Sequence, residues 1–121
     1  MTTSDQKTVD WDRIIHAIHM VETGGRMGPI LGDGGAALGP LQIHRGYHAD
    51  SNVEGPYSRV SDLEYASSVF RAYMDRYATV SRLGHEPTYK DIARIHNGGP
   101  NGYKKRATLK YWEKVRKELE L

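Results

Sequence analysis

The run Arg26-Met27-Gly28-Pro29-Ile30-Leu31-Gly32-Asp33-Gly34-Gly35-Ala36-Ala37-Leu38-Gly39-Pro40-Leu41 decides the fold, because its five glycines and two prolines cannot be helix. Glycine weakens a helix through backbone entropy, and proline removes a donor and clashes with the preceding turn. The apolar pairs Ile30-Leu31 and Ala37-Leu38 flank Gly32-Asp33-Gly34-Gly35, which is turn chemistry. This spacing predicts a small β-hairpin or an ordered loop.

Either side of that excursion the pattern is helical. Asp10 can cap a helix, with Val9 and Ile14 as a hydrophobic staple. Trp11, Ile14, Ile15, Ile18 and Val21 then recur on one helical face, and Gly24-Gly25 stops them. A short helix is expected around Leu41–Ala49, then a polar loop over 51–60. Ser61-Asp62-Leu63-Glu64 reads as a capping box, with Val60 and Tyr65 as its staple. Leu63, Ala66, Phe70, Tyr73, Met74 and Tyr77 mark a long helix that should end by Gly84. Thr88 can cap a shorter one carrying Tyr89, Ile92, Ala93 and Ile95, broken sharply by His96-Asn97-Gly98-Gly99-Pro100-Asn101-Gly102. A last helix runs from about Thr108, with Tyr111, Trp112, Val115 and Leu119 inward. The fold class is α+β, mostly helical with one glycine-rich excursion.

The chain has 121 residues, 38% hydrophobic and 26% charged, which suits one globular domain over 1–121, with 1–9 expected to be a flexible segment. With no cysteine, disulfides, thiol nucleophiles and thiolate metal sites are excluded. No apolar stretch is long enough to span a bilayer. Residues 1–12 are polar and show no signal-peptide core, so the route of export is left open. Residues 101–121 carry seven bases against three acids, whereas the first hundred carry ten against twelve. Such a basic end is either a solvated helix face or a surface for an anionic polymer.

Two carboxylates stand out. Glu22 lies at the C-terminal end of the first helix, beside its apolar stripe. Both the helix dipole and apolar neighbours disfavour an anion there, as a general acid requires. Alone, it could equally be an ordinary last-turn Glu, and Asp33 an ordinary turn residue. A hairpin folded over the helix end would bring them together. Glycosidic cleavage uses such a pair, one carboxyl protonating the leaving oxygen and one carboxylate meeting the developing oxocarbenium ion. Unequal surroundings would keep one neutral and the other ionised. Gln42, between Leu41 and Ile43, is a buried hydrogen-bonding residue or a substrate contact. His96-Asn97-Gly98-Gly99 offers donors and exposed backbone that can read sugar hydroxyls and N-acetyl groups; its plain alternative is a helix terminus with an Asn C-cap.

In this order the segments resemble the invertebrate-type lysozymes, the family that includes the destabilases. The resemblance rests on Val21-Glu22-Thr23-Gly24, Asp33, Gly39-Pro40-Leu41-Gln42-Ile43 with Tyr47 and Asp50, and Tyr73-Met74-Asp75-Arg76-Tyr77. It continues through Ala93-Arg94-Ile95-His96-Asn97-Gly98-Gly99-Pro100-Asn101-Gly102 and Ala107-Thr108-Leu109 with Tyr111-Trp112. It implies a lysozyme-like fold with the hairpin over an active-site cleft, and hydrolysis of the β-1,4 bond between N-acetylmuramic acid and N-acetylglucosamine. Glu22 would be the acid, Asp33 the nucleophile or stabiliser, and Gln42, Tyr47, His96, Asn97 and Gly98 substrate contacts, with net retention. No cofactor is implied, the partner is the glycan strand of peptidoglycan, and a monomer acting on the cell wall is expected. Animal members are cysteine-rich, so a cysteine-free chain suggests a bacterial or phage relative. Isopeptidase activity, described for some destabilases, uses a Ser near this loop, where the chain has Ala36 and Ala37.

Other readings stay open. A lytic transglycosylase would use Glu22 alone with Gly39-Pro40-Leu41-Gln42 and Asn97-Gly98-Gly99. A non-catalytic glycan-binding module would keep only the fold. A nucleic-acid binder would use the basic C-terminus, though without a recognised motif. The pairs His44/His48 and His16/His19 could each share a helix face, but no third metal ligand is evident, so no metal is expected. Met20, Met27 and Met74 read as core or cleft filling.

Overall fold

The computed structural model describes residues 8–121, so the expected flexible segment 1–9 lies almost wholly outside the described residues; of it, Val9 packs against the core. Helix α1 (Trp11–Thr23) begins where the Asp10 carboxylate accepts the Arg13 N–H at 3.1 Å. It ends at Gly24, whose left-handed φ of 67° lets its N–H reach back to the last carbonyls. Ile14 and Ile18 are fully buried, as their spacing predicts, and Ala17 is buried beside them. An Arg13 guanidinium bond to the Leu119 carbonyl ties this helix to the end of the chain.

The glycine-rich run is a hairpin, with one strand more than expected. β1 (Leu31–Gly32) pairs antiparallel with β2 (Ala37–Leu38), and β2 with β3 (Ile43–His44). The register sets Gly32 opposite Ala37 and Ala37 opposite His44. A 3₁₀ turn at Asp33–Gly35 joins β1 to β2, with positive φ at Asp33 (51°), Gly34 (66°) and Gly35 (97°). Gly39 (φ 86°) turns the chain against the Val60 carbonyl, where a Cβ would lie 2.1 Å from that oxygen. The helix expected at Leu41–Ala49 therefore starts later, as α2 (Arg45–Ser51). Gln42, at φ 54°, cannot continue from the turn into helix, and Ile43–His44 extend as β3 first.

A 3₁₀ turn at Tyr57–Ser61 leads into α3 (Leu63–Tyr77). The cap expected at Ser61 falls instead on Asp62, whose carboxylate accepts the Tyr65 N–H at 3.0 Å while Ser61 is spent in the preceding turn. Val60 and Tyr65 still both face the core. α3 ends before Gly84, at Tyr77, and Gly84 closes a separate turn, α4 (Val80–Leu83), capped by Thr79. α5 (Tyr89–Gly98) starts at a full Thr88–Asp91 capping box and runs through His96, Asn97 and Gly98 rather than breaking there. The stop is Gly99 at φ 87°, so Asn97 is not a C-cap. 3₁₀ turns at Gly102–Lys104 and Arg106–Thr108 precede α6 (Leu109–Leu119).

The core joins α1, β3, α3, α5 and α6 through Ile14, Ile18, Ile43, Phe70, Met74, Ile92, Ile95 and Val115, all essentially inaccessible. Met74 fills it as expected, but Met27 is 64% exposed, because it follows the helix end onto the surface. No helix among the described residues is long and apolar enough to cross a membrane.

Candidate functional site

One bond ties the sheet to the end of α1, and two more brace the sheet itself. The Thr23 hydroxyl donates to the Pro40 carbonyl at 3.0 Å. The Gln42 amide donates to the carbonyls of Ile30 (3.0 Å) and Gly39 (2.9 Å). Its carbonyl end lies against Gly32 so closely that a Cβ there would sit 1.8 Å from Oε1. Gln42 thus braces the hairpin from inside.

The result is a cleft of about 200 Å³ lined by Val21, Glu22, Asp33, Gln42, His44, His96, Asn97, Tyr111 and Lys114. Five of the seven residues singled out from sequence meet here: Glu22, Asp33, Gln42, His96 and Asn97. Tyr47 and Gly98 do not line it. Tyr47 lies behind His96, stacked on Tyr73 with ring centroids 3.7 Å apart and planes 6° from parallel. Gly98 serves packing: a Cβ would come within 2.5 Å of the Thr108 methyl, and its carbonyl accepts from Lys105 Nζ at 2.8 Å.

The two carboxylates have different surroundings. Glu22, with 19% of its side chain exposed, accepts a hydrogen bond from the Tyr111 hydroxyl at 2.8 Å. His96 Nε2 stands 3.5 Å from the same oxygen. Asp33, 69% exposed, meets among the described residues only the His44 ring, at 2.9 Å. The inner wall is a fixed polar chain. His96, 2% exposed at its side chain, directs Nε2 at the Leu41 carbonyl (3.0 Å), which can only accept, so that nitrogen carries the proton. Nδ1 is then the acceptor for the Tyr47 hydroxyl at 2.8 Å. Burial, and secondarily the nearby phenol of Tyr73 and the Glu22 carboxyl, push the Tyr47 phenol well above its ordinary range. Burial, then the charge and hydrogen bond of Glu22, do the same to Tyr111. Both phenols therefore stay protonated as donors.

The loop after α5 is clamped by two arginines. Arg82 bonds the Pro100 carbonyl (2.8 Å) and Asn101 Oδ1 (2.9 Å), and Arg94 bonds Thr108 Oγ1 (2.8 Å) and the Lys105 carbonyl (2.9 Å). Much of the conspicuous 96–102 motif thus holds the loop, while His96 and Asn97 alone face the cleft.

Sequence reading missed Val21, His44, Tyr111 and Lys114 as cleft residues. The spacing of His44 and His48 suggests only metal ligation, although strand alternation after inward Ile43 turns His44 outward. Tyr111 and Lys114 are three apart and share a helix face, a signal that spacing carries. Three of the four histidines considered for metal have other partners: His19 the Arg26 carbonyl, His44 Asp33 and His48 the Tyr65 hydroxyl. No group of three candidate metal ligands occurs among the described residues.

The family model described as Destabilase matches residues 12–118. An invertebrate-type lysozyme of Ruditapes philippinarum is 37% identical over 101 residues, covering 80% of this chain and 73% of that protein. A lysozyme of Magallana gigas is 39% identical over 84 residues, covering 68% of this chain, and the match spans 60% of that relative's length. Among solved structures, inhibitor-bound lysozyme from Meretrix lusoria superposes with a TM-score of 0.74 at 33% identity, covering 87% of each chain. Tapes japonica lysozyme gives 0.73 at 32% identity with the same coverage.

Proposed function

Because the chain belongs to the destabilase family of invertebrate-type lysozymes, we propose that it is a muramidase. It hydrolyses the β-1,4 bond between N-acetylmuramic acid and N-acetylglucosamine in peptidoglycan. The observation that carries this reading is the pair Glu22 and Asp33 on one cleft, the first recessed and the second solvated.

Glu22, protonated, gives its proton to the leaving glycosidic oxygen as the C1–O bond breaks. The Asp33 carboxylate attacks C1 or stabilises its positive charge. Glu22, now ionised, takes a proton from water, which attacks C1 and frees Asp33 with net retention. The Tyr111 hydroxyl holds the Glu22 carboxyl in place, with the His96 ring packed 3.5 Å from the same oxygen. Asn97 and the Gln42 side chain on the cleft wall read sugar hydroxyls and N-acetyl groups; Tyr47 acts through His96, and Gly98 through the backbone that carries Asn97. The chain works as a monomer on the wall. A second carboxylate in the cleft favours hydrolysis over the single-acid transglycosylase route.

Clearing of purified bacterial walls by wild type, Glu22→Gln and Asp33→Asn tests the assignment. Wild type clears and both variants lose most activity while keeping their fold. Wild-type clearing by Glu22→Gln would remove Glu22 as the acid.

A further inference from the structure

We propose that His44 is a positioning residue for Asp33, a role that rests on Asp33 being the carboxylate that meets C1. Asp33 needs one. It sits in left-handed backbone (φ 51°), is followed by two glycines of positive φ, and is largely exposed. A carboxylate on such a turn is free to change rotamer unless something holds it. Among the described residues its side chain makes one hydrogen bond, to His44 Nε2 at 2.9 Å. A carboxylate at neutral pH only accepts, so Nε2 carries the proton and Nδ1 faces elsewhere. The bond engages Oδ2, on a residue that lines the cleft.

The sheet explains how this contact is built. Gly32, Ala37 and His44 lie in register across the three strands, and Asp33 directly follows Gly32. Neighbouring strands are about 4.8 Å apart, so His44 and Asp33 are separated by roughly two strand spacings. The residue between them is alanine, which leaves room for the imidazole to cross above it. The left-handed turn at Gln42 sets the alternation that sends Ile43 into the core and His44 to the cleft side. The brace from Gln42 to Ile30 and Gly39 then fixes the strands on which both partners ride. Neither His44 nor its pair with Asp33 is needed by the core: both side chains are more than half exposed.

The test compares His44→Phe, which keeps a ring but no donor, with His44→Gln, which restores an N–H of similar reach. Reducing-end release from solubilised peptidoglycan strands gives kcat and KM, and thermal melting controls for folding. His44→Phe is expected to lower kcat about tenfold to a hundredfold, the usual cost of misplacing a reacting group by around an ångström. KM stays within about twofold, melting is unchanged, and His44→Gln recovers most of the kcat. A wild-type kcat for His44→Phe overturns the proposal, as does a His44→Gln no better than His44→Phe, or a loss carried wholly by KM. Asp33→Asn run in parallel separates the two layers. If it keeps wild-type activity, the two-carboxylate reading fails and His44 with it. If it is inactive while His44→Phe is fully active, only the role of His44 fails.

Discussion

Removing the Tyr47 hydroxyl, as Tyr47→Phe, probes the fixed chain behind the acid. The variant keeps the ring, so the stack on Tyr73 at 3.7 Å survives. What disappears is the donor to His96 Nδ1. At 2% side-chain exposure, His96 has no water to replace it. Nε2 remains committed to the Leu41 carbonyl, so the ring cannot change tautomer without breaking a second bond. Leaving a buried polar group unsatisfied costs about 1–3 kcal/mol, which for a domain of this size lowers the melting temperature by roughly 4–12 °C. A looser His96 also loosens the wall 3.5 Å from Glu22, and about 1 kcal/mol of lost positioning is roughly a fivefold fall in kcat. Tyr47→Ala, which loses the stack too, should cost about 3–5 kcal/mol. The assays are thermal melting by circular dichroism, ring-nitrogen NMR of His96, and turnover on solubilised peptidoglycan. An unchanged melting temperature for Tyr47→Phe, with the His96 ring signals unmoved, would refute the chain as a structural unit.

Further outcomes follow from packing and protonation. Gly39→Ala combines a strained left-handed backbone, about 1–2 kcal/mol, with a clash on the Val60 carbonyl, about 1–3 kcal/mol, so chemical denaturation should register roughly 2–5 kcal/mol; Gly84→Ala, also left-handed but open, should lose only the first part. Stability should hold to about pH 10 and fall above it, since Tyr47, Tyr73 and Tyr111 keep their protons in the fold beyond the pH at which unfolded tyrosines ionise, with Tyr73 pushed up to about 12 mainly by burial. Raised folded values mean the unfolded chain loses protons first, so each such phenol withdraws up to about 1.4 kcal/mol per pH unit in that window, readable in urea melts from pH 8 to 12. Asp91→Ala removes an acceptor shared by the Thr88 N–H, the Thr88 hydroxyl and His85, and should cost about 1–3 kcal/mol in a denaturant titration.

What could be read from sequence was local. Asp10, Gly24 and Thr88 act as caps because capping needs only a side chain and its own backbone. The hairpin was legible because Gly32-Asp33-Gly34-Gly35 permits little else. The third strand was not, since two residues, Ile43 and His44, carry no period of their own and are strand only because β2 is there to pair with. Asp62 outcompetes Ser61 as a cap because the 3₁₀ turn claims Ser61 first, a choice made by the chain before it. Glu22 and Asp33 could be paired on paper from the folding-back of the hairpin. Tyr111 could not, because its bond to Glu22 spans 89 residues and depends on how α6 packs on α1. Gln42 shows the limit from the other side: the sequence offered a brace or a substrate contact, and the structure gives it the first task while leaving it on the cleft wall.

The central claim, hydrolysis by a carboxylate pair on peptidoglycan, meets its most direct test in product analysis by mass spectrometry after digestion in ¹⁸O-labelled water. Water activated by Glu22 and captured at C1 predicts reducing N-acetylmuramic acid ends carrying one ¹⁸O, formed by wild type and absent with Glu22→Gln. Unlabelled 1,6-anhydro-muramic ends would contradict it, because they form when the sugar's own hydroxyl, rather than water, captures C1.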